Sequence, residues 1–358
     1  MGILKRLWNI SLKPQLTLYL TSELGGTPYK STTPRAIWSP PFTRQPSPQP
    51  KFAARVGVFD IDTPQGTRPA YNPSWGYNNP YRKNTISGNE YSELVPSSGP
   101  KWPKARKHFV LVHGACHGAW AWYKIIALIK TSGNNVTALD LGASGVNPKQ
   151  VLEIPHLSDY FSPLMEFMTS LPTDEKVILV GNSLGGFAIA KAMEIFPEKI
   201  SVAVFVAALM PGLILDAATI YNETSSGTFI LDNLITFDNG PTNPPTTVSF
   251  GPKFLASYIY PLSPIQDWAL ATTLVRPLYL YSLDDISKEM VLTSKKYGSV
   301  RRAYIVAAED KVLSKEFQQL MIEKNPPDQV EEISGSDHAP MMSKPGQLFT
   351  LLLRIANK

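Results

Sequence analysis

Ser183 stands in Gly181-Asn182-Ser183-Leu184-Gly185, with a glycine two positions before and two after a hydroxyl. That spacing lets a chain turn so sharply at the end of a strand that the serine projects beyond it, as a nucleophile elbow does. A serine hydroxyl attacks only when a base takes its proton and a third group fixes that base in the right tautomer. Five histidines are on offer. His108 opens an apolar run, His113 and His117 flank the turn after it, and His156 precedes a helical stretch. His338 lies in Gly335-Ser336-Asp337-His338-Ala339, after the last expected strand, and its place in chain order makes it the candidate base. The acid should leave the strand before it, where Ala308-Glu309-Asp310-Lys311 offers two adjacent carboxylates. Successive residues of an extended chain point opposite ways, so only one of Glu309 and Asp310 can face His338, and the run by itself does not choose. Asp337 is adjacent to the base, a poor place for a productive geometry, and Asp140 reads as a structural turn residue. Acyl transfer also needs donors for the oxyanion. The backbone N–H of Leu184 is one candidate, and that of Ala115, in His113-Gly114-Ala115-Cys116-His117-Gly118, is the other.

These residues need a scaffold, and the sequence from His108 onward supplies one. Apolar runs at 108–112, 135–139, 176–180, 202–207, 302–307 and 329–333 read as strands. Helical segments are expected over Trp120 to Thr131, Tyr160 to Ser170, Gly186 to Phe196, Lys315 to Ile322 and Gly346 to Ala356. Strands alternating with helices predict an α/β fold, a doubly wound and mainly parallel sheet covered on both faces. The alternation fails over about 212–295, a stretch rich in Pro, Phe, Tyr and Leu. An insertion there is expected to form a cap over the carboxyl ends of the strands. Phe229, Phe254 and Trp268 are candidates to bound an apolar pocket beneath it, with ordinary packing of cap on core as the alternative for each.

Residues 1–105 are of a different composition. Fifteen of the 32 prolines fall before residue 107, in stretches such as SPPFTRQPSPQP that have no apolar period to bury. A disordered extension is expected, followed by a domain over 106–358. The first 59 residues hold one acid, Glu23, against eight Lys and Arg, the balance of an organelle transit peptide. An ordinary disordered tail or a misassigned start of the reading frame explains it as well, so the expected location is cytoplasmic, or plastidial if the segment targets. Gly2 follows the initiator Met, but Arg6 stands where a myristoylation signal wants Ser or Thr. The net charge of +5 also belongs to the extension: residues 1–107 hold fifteen Lys and Arg against five acids, the remainder nineteen against twenty-four. No basic face of the folded part therefore points to nucleic acid. The longest apolar run, Val202 to Met210, is far short of the ~20 residues of a membrane span. A single cysteine, Cys116, excludes an internal disulfide.

The stretches HFVLVHGACHGAWAWYKI, VTALDLGASGV, EKVILVGNSLGGFAIAKAMEIFP, AVFVAALMPG, FGPKFLA, LVRP, AEDK and GSDHAPM together resemble the plant methylesterase family of α/β-hydrolases. That family includes esterases of methyl salicylate, methyl jasmonate and methyl indole-acetate and is related to the hydroxynitrile lyases. The resemblance runs from about residue 107 to the end and is silent on the extension. It implies an α/β-hydrolase fold with Ser183 as nucleophile, His338 as base and Asp310, rather than Glu309, as acid, and with Ala115 and Leu184 as oxyanion donors. It implies no metal or organic cofactor. Asn182 departs from the family, whose esterases usually carry histidine there. Relatives that cleave cyanohydrins carry threonine in place of Gly114, a position expected to border the substrate, and lysine where this chain has Ala339, so both positions favour the esterase. The expected partner is a small apolar ester, with a homodimer left open. A lyase-like enzyme and a hormone receptor with slow turnover are the alternative functions.

Overall fold

The computed structural model describes residues 106–225 and 231–358. The expected extension over 1–105 and the candidate pocket residue Phe229 lie outside the described residues.

Six strands form one parallel sheet: β1 (His108–Val112), β2 (Asn135–Leu139), β3 (Val177–Ser183), β4 (Ile200–Ala208), β8 (Arg302–Ala307) and β9 (Gln329–Ile333), in the order β2-β1-β3-β4-β8-β9. The central strands are apolar on both faces because both are covered, as parallel sheets require. In β1, Phe109 and Leu111 enter one core cluster and Val110 and Val112 the other. Helices α1 (Tyr123–Thr131) and α8 (Pro345–Ala356) bury Ile125, Ile129, Leu348 and Leu352 on the first face. Helices α2 (Leu157–Ser170), α3 (Gly185–Ile195) and α7 (Lys315–Lys324) bury Tyr160, Leu164, Phe187, Ile189 and Met321 on the second.

The chain passes from β1 outward to β2 and then returns across β1 to β3. The order therefore reverses between β1 and β3, and ligands of open α/β sheets bind at that switch point, beyond the carboxyl ends of the strands. The turns that follow β1 and β3 are the ones carrying Ala115 and Ser183.

Strand β3 runs on from the expected 176–180 to Ser183, and two helices begin differently from the sequence expectation. The segment from Trp120 begins as a tight 3-10 turn, Ala119–Trp122, before α1 takes over at Tyr123. Helix α2 starts three residues before Tyr160 and contains Pro163. The missing proline N–H would have bonded to the carbonyl of Asp159; the Ser162 hydroxyl, 3.0 Å away, donates to that carbonyl instead.

Between β4 and β8 the chain builds α4 (Ala217–Ser225), a small antiparallel sheet in the order β5 (Leu234–Thr236), β6 (Thr247–Ser249), β7 (Leu278–Tyr279), and helices α5 (Ile265–Leu274) and α6 (Leu283–Glu289). Polar anchors fasten this cap segment to the core. Arg276 donates to the carbonyls of Gly145, Asn147 and Lys149, and Asp285 accepts from Leu157 N and pairs with His156.

Candidate active site

Strand β3 ends on Ser183 with φ of +52°, a left-handed conformation that strains any residue with a Cβ. The turn is tight enough that a Cβ on Gly185 would lie 2.5 Å from the carbonyl oxygen of His113. The second glycine of the motif is therefore what lets α3 start immediately above β1. Leu184 is the first residue past the elbow and caps α3, so its N–H belongs to the unsatisfied set at a helix N-terminus.

His338 and Asp310 come from the loops after β9 and β8. His338 Nδ1 lies 2.8 Å from Asp310 Oδ2, and both side chains are almost wholly buried. Asp310 Oδ1 accepts the backbone N–H groups of Val312 and Leu313 at 2.7 and 2.9 Å. With one oxygen held by the turn, the other is aimed at the ring; His338 Nδ1–H donates to it and Nε2 is left for a reacting proton. Glu309, the other carboxylate of the run, is exposed and accepts the N–H of Ser336. Asp337 faces the cap, accepting from Leu262 N, Ser263 Oγ and Ala339 N. Asp140 accepts from Ala119 N and Val146 N and braces turns.

Ser183 lies at the junction of two cavities. The smaller, about 30 Å³, is lined by His338, Asn182, Gly114, His117, Tyr260 and Met341 among others. The larger, about 140 Å³, runs under the cap past Leu184, Tyr221, Val248, Phe254, Tyr258 and Leu278, with Lys311 at its edge. Ala115, Ser183, Phe250 and Val312 line both. Ser183 and His338 thus face one space, without a hydrogen bond between them among the described residues. Of the expected pocket residues, Gly114 lines the small cavity and Phe254 the large one. Trp268 lines neither: its indole N–H donates to Pro252 O at 2.9 Å and its ring packs against the core cluster. Tyr260 carried no signal in the sequence and Val312 only its closeness to Asp310, while Phe250 and Met341 stand in the stretches FGPKFLA and GSDHAPM without being set apart there by type or spacing.

The environment keeps neighbouring groups uncharged. Burial lowers the pKa of His117 to about 4, against the opposing hydrogen bond to Ala115. Burial likewise lowers that of His113 and pushes the Cys116 thiol up to about 12, leaving it inert as a nucleophile. Gly114 has no room for a side chain, since a Cβ there would sit 2.7 Å from Ser183 Cβ and 3.3 Å from its Oγ.

With fold and site in view, the comparisons with known proteins agree. The sequence profile of the alpha/beta hydrolase family matches residues 109–351. Methyl jasmonate esterase 1 of Vitis vinifera is 52% identical over 254 residues, 70% of this chain and 97% of its own. Salicylic acid-binding protein 2 of Nicotiana tabacum is 47% identical over 258 residues, 71% of this chain and 99% of its own. Among solved structures, tomato Methylketone Synthase I complexed with 2-tridecanone is 68% identical with a TM-score of 0.70, covering 71% of this chain and 98% of its own; a variant of it was solved with beta-ketoheptanoate. The chain belongs to the alpha/beta hydrolase family and, within it, to the plant methylesterases.

Proposed function

We propose that the protein is a serine carboxylesterase acting on small methyl esters, with Ser183 as nucleophile, His338 as base, Asp310 orienting the base, and the N–H groups of Ala115 and Leu184 holding the oxyanion. One observation carries this reading: Ser183 borders both a small and a large cavity and shares the small one with a histidine whose Nδ1 is bonded to a buried carboxylate. An ester has the same asymmetry. A cavity must exceed roughly 10–15 Å³ to hold one water, so about 30 Å³ suits a methoxy group and little more. That cavity is the one His338 lines, where the leaving alcohol must collect its proton. The acyl part then occupies the apolar space beneath the cap.

His338 Nε2 takes the Ser183 proton as Oγ attacks the carbonyl, a contact that tightens once substrate is bound. The tetrahedral oxyanion is held by the two N–H groups; methanol leaves with the proton from His338, and water hydrolyses the acyl-enzyme by the same steps. The relatives named for methyl jasmonate and salicylic acid make the methyl esters of jasmonate and salicylate, with that of indole-acetate, the first substrates to try. Purified enzyme should release methanol from at least one of them, and Ser183→Ala should abolish release while ligand binding persists. Hydrolysis retained in that variant would overturn the assignment; tight binding of the free acid without turnover would favour a receptor.

A second substrate class is favoured by the two tomato structures, one with a linear methyl ketone and the other, of a variant, with a 3-oxo acid. The cavity beneath the cap is apolar enough for an alkyl chain. Hydrolysis of a methyl 3-oxoalkanoate yields methanol and the 3-oxo acid, which on losing carbon dioxide becomes the methyl ketone. Gas chromatography of reactions with methyl 3-oxoalkanoates, run beside the hormone esters, separates the two classes. Localisation follows the extension: a fusion of residues 1–105 to a fluorescent protein reads whether it directs import into plastids or leaves the enzyme in the cytoplasm. Light scattering of the eluted protein reads whether it forms a homodimer.

A further inference from the structure

Ala115 is gripped by the peptide units on either side of it. His113 Nδ1 lies 2.8 Å from the carbonyl oxygen of Gly114, which belongs to the same peptide unit as the Ala115 N–H, while Leu141 N–H meets His113 Nε2 at 3.1 Å. A carbonyl only accepts and a backbone N–H only donates, so this ring is neutral with its proton on Nδ1. His117 repeats the arrangement one peptide further on. Its Nδ1 lies 2.7 Å from the carbonyl oxygen of Ala115 and its Nε2 2.5 Å from Tyr260 Oη. By the same logic Nδ1–H donates to Ala115 and the Tyr260 hydroxyl donates to Nε2.

Tyr260 belongs to the cap, not to the sheet domain's own turn. It follows the π-helical turn Leu255–Ile259, and its N–H bonds to Leu255 O. The next residue of the gripped turn, Cys116, has φ of +60°, and its carbonyl accepts the N–H of Arg276, also of the cap. A left-handed cysteine is not a conformation the chain adopts unaided; the cap holds one side of it directly through Arg276 and backs the other through Tyr260 and His117.

We propose that Tyr260 is a positioning residue for the oxyanion donor Ala115, acting through His117, so that the seated cap completes the oxyanion hole. The inference rests on the esterase reading for its kinetic consequence, though not for its structural one. Tyr260 does for His117 what a carboxylate does for a catalytic histidine: it selects a tautomer. Without the hydroxyl, His117 is free to carry its proton on Nε2, and its bare Nδ1 then faces the Ala115 carbonyl with no hydrogen between them. The Ala115–Cys116 peptide loses its tether and the Ala115 N–H drifts from the oxyanion.

The test compares Tyr260→Phe, His117→Ala, His117→Asn and the Tyr260→Phe/His117→Asn double variant, assayed as full-length protein with p-nitrophenyl acetate. Nitrogen-15 spectra of the histidine rings are recorded alongside. Asparagine places an amide donor where Nδ1–H was and needs no tautomer selected. Removing an oxyanion donor outright costs about 10²–10³ in kcat; misaiming one should cost less. Tyr260→Phe and His117→Ala are expected to lower kcat about tenfold with KM within about twofold, His117→Asn to recover most of what His117→Ala loses, and Tyr260→Phe to add nothing in the His117→Asn background. The His117 signals should show Nδ1–H alone in the wild type and a mixture of tautomers in Tyr260→Phe. A rise in KM at unchanged kcat would mean that Tyr260 touches substrate, and an equal loss from Tyr260→Phe in both backgrounds would remove His117 from the path; either overturns the proposal. If the wild type shows no Ser183-dependent turnover the esterase reading fails by itself, and the tautomer spectra still decide whether Tyr260 sets the state of His117.

Discussion

Asn182 stands directly before the proposed nucleophile. Its Nδ2 donates to the carbonyls of Val206, at 2.9 Å, and His338, at 3.2 Å. The side chain therefore ties the elbow to β4 on one side and to the backbone of the base on the other. Asn182→Ala removes the donor to two buried carbonyls, at roughly 1–3 kcal/mol for each that finds no other partner. The expected outcome is a lower melting temperature and a kcat reduced about tenfold with KM nearly unchanged, because His338 is displaced more than the pocket is. Steady-state kinetics and a thermal melt check both halves. Gly114 carries a sharper prediction: Gly114→Ala puts a Cβ against Ser183, so kcat should fall by about a hundredfold or more while circular dichroism stays that of the wild type. The acid is distinguished in the same way. Asp310→Asn removes the acceptor for His338 Nδ1–H and should cost about 10⁴ in kcat, the order seen when a triad histidine loses its orienting acid, whereas Glu309→Gln should cost little. Residue pattern alone left this pair open, because adjacent carboxylates in extended chain differ only in direction, and only the family resemblance named Asp310. The choice comes from the turn after β8, where Val312 and Leu313 point their N–H groups at Asp310 and fix it inward.

At the scale of elements, the cap matters because it lines the large cavity and, through Tyr260, touches the turn that carries the proposed oxyanion donor. One of its anchors is ionic. Asp267 in α5 is 1% exposed and receives Lys124 Nζ from α1 at 2.5 Å as well as the Tyr123 hydroxyl at 2.8 Å. Lys124 also donates to Met342 O, three residues beyond Ala339 and near the base. Breaking a buried pair by removing one partner costs roughly 3–5 kcal/mol; Lys124 is about one-fifth exposed, so Lys124→Met should cost nearer 2–3 kcal/mol. Urea denaturation should show the midpoint falling at constant slope. A midpoint equal to that of the wild type would mean that α5 is held by packing alone. The core strands were legible in the sequence because parallel strands buried on both faces are uninterrupted apolar runs bounded by turns. The cap was legible only as a failure of that alternation. Its small antiparallel sheet has strands of two or three residues, too short to carry a period of two, and Trp268, which composition offered as a pocket wall, packs instead as a brace.

For the whole molecule, two buried neutral histidines set a pH dependence. The folded pKa of His117, about 4, lies below its unfolded value of about 6.5. The unfolded chain therefore binds the proton first as pH falls. The stability His117 contributes is full above about pH 6.5 and is lost progressively toward about pH 4. The ceiling for this one ring is about 3 kcal/mol, and His113 acts in the same direction. Asp337, whose pKa burial raises, acts oppositely by favouring the folded state at low pH. The melting temperature should accordingly fall between pH 6.5 and 4.5, and His117→Asn should flatten that slope. The extension is expected to be separable from catalysis, since relatives are matched over 97–99% of their own length by about 70% of this chain. Removal of residues 1–105 should leave kcat/KM within about twofold; a larger change would give the extension a part in the reaction. Among the described residues no helix is long and apolar enough to cross a membrane.

The amino-acid sequence by itself determined the class of chemistry and its order along the chain: a glycine-flanked serine after a buried strand, an acid after a later strand and a histidine after the last. Those signals are local, since each depends on residues within a few positions of one another and on the period of the strand that carries them. Only the tertiary structure showed the Asp310–His338 contact that the family resemblance implied, the bond from Asn182 to the backbone of His338, the position of Ser183 between a small cavity and a large one, and the reach of a cap tyrosine to the Ala115 turn through His117. Each of these joins residues far apart in sequence, 28 positions from Asp310 to His338 and 143 from His117 to Tyr260. The parallel pairing of β8 with β9 brings the first pair within hydrogen-bond reach, and the seating of the cap the second.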